Sequence, residues 1–145
     1  MSGIVVGIDG SHNASHALEW AMAEAAVRKT QLTVITVLSE PAHYWTGHPV
    51  PFAGDSERIA EIRKSAQAAV EATAAKLGPG KPEAVTVTAA AGFPAQTLIN
   101  ASKDSDLLVV GTRGGGGFGS LILGSVSNQV VHHASCPVVV VPAGK

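Results

Sequence analysis

The chain has 145 residues, 46% of them hydrophobic, which is enough for one domain with a full core. Charged residues make up 14%, against about 25% in an ordinary globular protein, and the net charge is −1 with no basic block, which argues against a nucleic-acid or anionic-membrane surface. A lone cysteine, Cys136, leaves no internal disulfide and no cysteine-cluster zinc site; with no apolar run of about 18 residues and no basic leader before "IVVGI", the expectation is a soluble cytoplasmic protein of one domain, residues 1–145.

Ile4–Ile8, "IVVGI", is apolar on both faces and β-branched, so it reads as a central strand of a covered parallel sheet. The polar turn "DGSHNAS" leads into a helix with Ala14, Ala17, Leu18, Ala21, Met22 and Ala25 on one stripe. Leu32–Leu38 is a second buried strand, followed by a proline-broken irregular loop from Glu40 to about Gly54. Asp55 is placed to cap a helix with the stripe Ile59, Ile62, Ala66, Ala69, Val70, Thr73 and Leu77, which "GPGKP" ends. A third strand is expected at Ala84–Ala90, then a helix opening at Pro94, where proline suits the first turn. "DLLVVG" is a fourth strand, a helix runs from Ser125 to about Ala134, and Pro137–Val141 closes the chain as a fifth strand at the sheet edge. Strands alternating with helices predict an α/β, doubly wound, five-stranded parallel sheet with helices on both faces. Ligands of such sheets bind beyond the carboxyl ends of the strands, where the strand order reverses.

Two loops stand at strand ends of that kind: "DGS" after the first strand, and "GTRGGGGFGSLILGSVS" at residues 111–127. The second stretch holds seven of the chain's 16 glycines. No carboxylate follows Asp106, and Arg113 is the only Lys, Arg, Asp or Glu between Asp106 and Lys145. Glycine lets backbone amides approach an anion, and a helix N-terminus favours one, so an acid-free glycine loop running into a helix suits phosphate. The spacing Gly119-xxxx-Gly124-Ser125 begins like a Walker A loop but lacks its lysine, and Gly7 and Gly10 do not complete a dinucleotide fingerprint. Asp9 also has the chemistry of a cap for the first helix, and Ser125 that of an N-cap for the last.

The stretch resembles the nucleotide-binding branch of the universal stress protein family, whose signature is G-x2-G-x9-G-[ST]. Gly111-Thr-Arg-Gly114, nine residues, then Gly124-Ser125 match it in full, and "VVGIDGS", "AAGFPAQTLINAS", "DLLVVGTRG" and "GSVSNQVVHHASCPVVVVP" resemble the flanking segments. The resemblance implies strand order 3-2-1-4-5 and an ATP-binding, stress-response regulatory module. It gives Asp9 the ribose hydroxyls and a possible magnesium ion, and Gly10 the tight turn beside them. It sets Val37 at the adenine edge and Gly92 at the mouth of the third strand. It brings Gly111, Arg113 and Gly114 toward ribose and phosphates, and Gly124, Ser125, Val126 and Ser127 around the phosphates. It also implies a homodimer through Val138–Val141, a strand of four valines that no lysine or internal proline protects. Alternatives from the residues are a slow ATP hydrolase, for which the phosphate loop offers no base, and a partner-binding stress protein that uses AMP, cyclic AMP or no nucleotide.

Among the remaining features, His12 and His16 are four apart, but His12 reads as part of a turn and no third metal ligand is evident nearby, so no metal site is expected. His132 and His133 fit the C-terminal end of a helix dipole, and Cys136 reads as a small buried hydrophobe. The loop "EPAHYWTGHPVPF" gathers three of the six aromatic residues and suits a lid, a partner surface or a dimer edge.

Overall fold

The computed structural model describes residues 3–9, 12–38, 44–45, 48–49, 55–112 and 124–142. The elements run β1 (Ile4–Ile8), α1 (His12–Arg28), β2 (Leu32–Leu38), β3 (Tyr44–Trp45), β4 (His48–Pro49), α2 (Asp55–Leu77), a 3-10 turn at Gly78–Gly80, β5 (Val85–Ala91), α3 (Pro94–Ser102), β6 (Leu107–Gly111), α4 (Ser125–His133) and β7 (Val138–Val141). Five strands form one sheet in the order β5-β2-β1-β6-β7 with every pair parallel. Counting only the strands of this sheet, that is the expected order 3-2-1-4-5, and the last strand lies at an edge as read from the sequence.

Alternation along each strand separates two cores. Ile4, Val6, Ile8, Leu32, Val34, Leu107 and Val109 face α1 and α2, where Ala17, Leu18, Ala21, Met22 and Ala25 meet them. Val5, Ile35, Leu108 and Val110 face α3 and α4, against Ala95, Leu98 and Val130. On this second face Gly7 allows a close approach: a Cβ there would sit 2.6 Å from Leu98 Cδ1. The two short helices are also tied at their far ends, where the buried Ser102 Oγ donates to Ile99 O (2.6 Å) and accepts from Ser135 N (2.8 Å).

The structure corrects several local expectations. The third sheet strand is Val85–Ala91, one residue later than read, because its register is set by pairing Leu32 with Val85 through Leu38 with Ala91. Pro137 precedes β7 and belongs to no strand, although its carbonyl accepts Leu108 N at 3.0 Å. His12 opens α1 and does not lie in a turn. Asp55 is the first residue of α2, inside the helix. The N-cap of α4 is Gly124, so Ser125 is its first helical residue. Tyr44–Trp45 and His48–Pro49, read as irregular, pair as a small antiparallel ladder. Cys136 is half-buried, and its Sγ donates to Pro137 O at 3.4 Å. Partial burial, helped by the negative Asp106, pushes the Cys136 thiol up and keeps it protonated.

Candidate functional site

The chain winds from β1 outward to β5, then returns to β6 on the other side of β1, so the strand order reverses between β1 and β6. A cavity of about 410 Å³ opens there, on the face covered by α3 and α4. Its floor is the carboxyl ends of three strands: Gly7, Ile8 and Asp9 of β1, Ile35 and Val37 of β2, Val110 and Gly111 of β6. Pro94 and Leu98 of α3 form one wall, and Gly124 to Ser127 at the start of α4 form the other.

The electrostatics follow from how these helices begin. Both α3 and α4 have their N-terminal turns at the cavity, neither has a side-chain cap, and neither has an acidic residue in its first turn. In α4 the first bond within the helix is Asn128 N to Gly124 O (2.9 Å), which leaves the amides of Ser125, Val126 and Ser127 without an acceptor in their own helix. Amides with no acceptor in their own helix and the positive end of the helix dipole suit this wall to negative charge. The opposite part of the cavity, between Ile35, Val37, Pro94, Leu98 and Val110, is apolar. Among the described residues, Asp9, exposed just after β1, is the one carboxylate on the wall. One pocket thus offers an anion-accepting end, an apolar slot and a carboxylate at its rim.

The wall of α4 is held by one carbonyl. Thr112, buried just beyond β6, accepts Gly124 N at 2.6 Å and Ser127 Oγ at 2.9 Å on its backbone oxygen.

Of the residues expected at the site, the structure brings together Asp9, Val37, Gly111, Gly124, Ser125, Val126 and Ser127. Gly92 is not on the wall. It follows the edge strand β5, with φ +147° and its N–H on Leu38 O at 3.1 Å, so it turns the chain from β5 into α3. Gly10, Arg113 and Gly114 lie outside the described residues. Sequence reading missed Gly7, Ile8, Ile35, Pro94, Leu98 and Val110 as wall residues. The signal that finds Gly7, Ile35 and Val110 is parity: on β1, β2 and β6 the α3-facing positions nearest the carboxyl ends line the floor. Among the described residues no group of three or more His, Cys, Asp or Glu side chains is placed to hold a metal, and no helix is long and apolar enough to cross a membrane.

The model of the universal stress protein family matches residues 1–142. The chain belongs to that family. A universal stress protein of Mycobacterium tuberculosis is 36% identical over 142 residues, covering 96% of this chain and 47% of the relative. One from Mycolicibacterium smegmatis is 34% identical over 139 residues, with 96% and 47% covered. The chain therefore spans about half the length of these relatives. Among solved structures, the fold is similar to a universal stress protein UspA from Lactobacillus plantarum (TM-score 0.70, 24% identity, 97% of each chain). It is similar too to an Archaeoglobus fulgidus universal stress protein in complex with dAMP (TM-score 0.64, 23% identity, 97% of each chain). A third is a universal stress protein in complex with cAMP (TM-score 0.67, 23% identity, 99% of this chain and 98% of that one).

Proposed function

We propose that this domain binds an adenine nucleotide, ATP first among them, and acts as a cytoplasmic stress-response regulatory module. The observation that carries the reading is the cavity at the strand reversal, where the uncapped N-terminus of α4 faces an apolar slot beside Asp9. In this reading the base occupies the apolar slot with its edge on the backbone of Val37. Asp9 accepts hydrogen bonds from the ribose hydroxyls, and the amides of Ser125, Val126 and Ser127 receive the phosphates together with Gly111. Gly10, Arg113 and Gly114 join the ribose and phosphate end on the strength of the family resemblance alone. A magnesium ion accompanying the nucleotide would neutralise phosphate charge, and Asp9 is the described wall residue whose chemistry would help hold it.

Calorimetry with ATP on the unmodified protein and on Gly124→Val tests this. Gly124 stands where an anion must approach the first amides of α4, so a branched side chain should weaken ATP at least about tenfold in a protein that still folds. Unchanged affinity would remove ATP from this cavity. The neighbours that carry cAMP and dAMP favour a second reading, an adenine monophosphate ligand. The same titrations with AMP and cAMP decide between them, because an anion site matched to three phosphates holds a monophosphate more weakly.

The edge position of β7 supports a homodimer through Val138–Val141. Among the described residues β7 pairs only with β6, which leaves one side of an all-valine strand open to a second copy. Light scattering at micromolar concentration should show a dimer, and Val140→Pro should give monomer or aggregate: Leu108 N and Thr112 N bond to Pro137 O and Val141 O, so the odd residues of β7 face β6 and the Val140 N–H faces the open edge. A monomeric unmodified protein would end this assignment.

A further inference from the structure

We infer that Ser127 is a positioning residue of the nucleotide site and not a phosphate-contacting hydroxyl: its side chain fixes the start of α4 to the end of β6, and only its backbone amide is offered to an anion. The inference rests on the nucleotide reading above and departs from the role the family resemblance suggests for this serine.

A serine hydroxyl carries one proton. Ser127 is buried, and Oγ donates that proton to Thr112 O at 2.9 Å, with Gly124 O at 3.2 Å as a second acceptor. A phosphate at neutral pH presents acceptor oxygens, so a hydroxyl whose proton is already engaged inside the protein has no donor to give it. The carbonyl of Thr112 also takes Gly124 N–H at 2.6 Å. Two bonds on one oxygen therefore tie the residue after β6 to both the cap and the first turn of α4. That tie sets where the first three amides of α4, which have no acceptor in their own helix, stand relative to Gly111 and Asp9 on the same wall.

Ser125 provides the contrast. It lies two positions earlier on the same wall, is exposed, and its hydroxyl has no hydrogen-bond partner among the described residues. The turn "GSVS" thus divides its work: the Ser125 hydroxyl, without a partner among the described residues, is offered to the ligand, while Ser127 holds the amides in place.

The test combines hydrogen exchange at the Gly124 amide in ligand-free protein with calorimetry using ATP and adenosine. For Ser127→Ala, loss of the tie should speed Gly124 exchange about tenfold and weaken ATP about tenfold, while adenosine, which has no phosphate, binds as before. Ser127→Thr keeps the donor and should restore both readouts. Ser125→Ala should weaken ATP without altering Gly124 exchange, and it provides a folded variant if Ser127→Ala is unstable. Weaker ATP binding by Ser127→Ala with unchanged Gly124 exchange would overturn the inference in favour of a direct phosphate contact. Unchanged ATP affinity in either alanine variant would overturn the division of roles. If the unmodified protein binds no ATP at all, the nucleotide reading fails and takes the ligand half of the inference with it, whereas the exchange comparison still decides whether the tie exists.

Discussion

On β1, Ile4 and Val6 are sealed beneath α1 and α2, whereas Val5 and Gly7 look toward α3 and α4, where the packing leaves the cavity. The covers differ in length. α1 and α2 have 17 and 23 residues, and α3 and α4 have nine each. At about 1.5 Å per residue the first pair runs roughly 26 and 35 Å, longer than any strand of the sheet, while each of the second pair runs roughly 14 Å. The long helices close their face. The short ones leave a gap where their N-termini meet the carboxyl ends of β1, β2 and β6. One face of the sheet is thus built for stability, and the other gives up some packing for a site whose walls are helix starts.

If that division is real, damage to the sealed face should register in stability and not in binding. Leu18 is 1% exposed and packs among Ala17, Ala21, Met22 and the inward residues of β1 and β6. Leu18→Ala should cost about 2–5 kcal/mol in urea unfolding, since the surrounding side chains relax only partly into the space left. Calorimetry on the folded fraction should return the unmodified ATP affinity. A large affinity loss would mean that the two faces are coupled through the sheet.

Gly7 probes the cavity face with a smaller change. A methyl at this position meets Leu98 Cδ1 at 2.6 Å and Cδ2 at 3.0 Å, so the leucine must swing away, and the space beside it is the cavity that it lines. Gly7→Ala should cost about 1–2 kcal/mol of stability and, by narrowing the slot, weaken ATP roughly tenfold. The double variant Gly7→Ala with Leu98→Ala sharpens the test: it should recover affinity while losing further stability. If affinity does not recover, the slot between Gly7 and Leu98 is not where the base lies.

The two faces were also unequally legible in the sequence. β1 and β2 agree end to end with the apolar runs Ile4–Ile8 and Leu32–Leu38, because central parallel strands are buried on both sides and carry an unbroken signal. β5 was displaced by one residue because it is an edge strand with exposed Thr86 and Thr88 and alanine at its end, where composition says little and pairing with β2 decides. At the site, Asp9 and Gly124–Ser127 were readable because their chemistry is local to a loop and a helix start. Leu98 and Gly7 were not, since helical periodicity tells which side of α3 turns inward but not that it stops against a glycine and leaves room. Gly92 enters the expected site through the family resemblance alone; it follows an edge strand, and its amide serves Leu38. The engagement of the Ser127 hydroxyl by Thr112 depends on a contact across 15 residues that no spacing rule reveals.

The smallest expected effect lies on the sealed face and has the opposite sign. α1 ends with Thr30 N bonded to Ala25 O at 3.0 Å and Lys29 N to Ala26 O at 3.2 Å, the paired arrangement that closes a helix through one left-handed residue. That residue is Lys29, with φ +55°, the one described non-glycine residue at positive φ. A side chain with a Cβ is disfavoured there, while glycine is not, so Lys29→Gly should raise stability by about 0.5–1 kcal/mol and the melting temperature by roughly 2–4 °C. The gain is limited because glycine also widens the conformational range of the unfolded chain. ATP affinity should not move, since α1 ends far along the chain from the cavity wall and on the other face of the sheet. A drop in melting temperature would show that the aliphatic stem of Lys29 contributes packing that outweighs the backbone term, and a change in affinity would break the separation of the two faces from the side least expected to breach it.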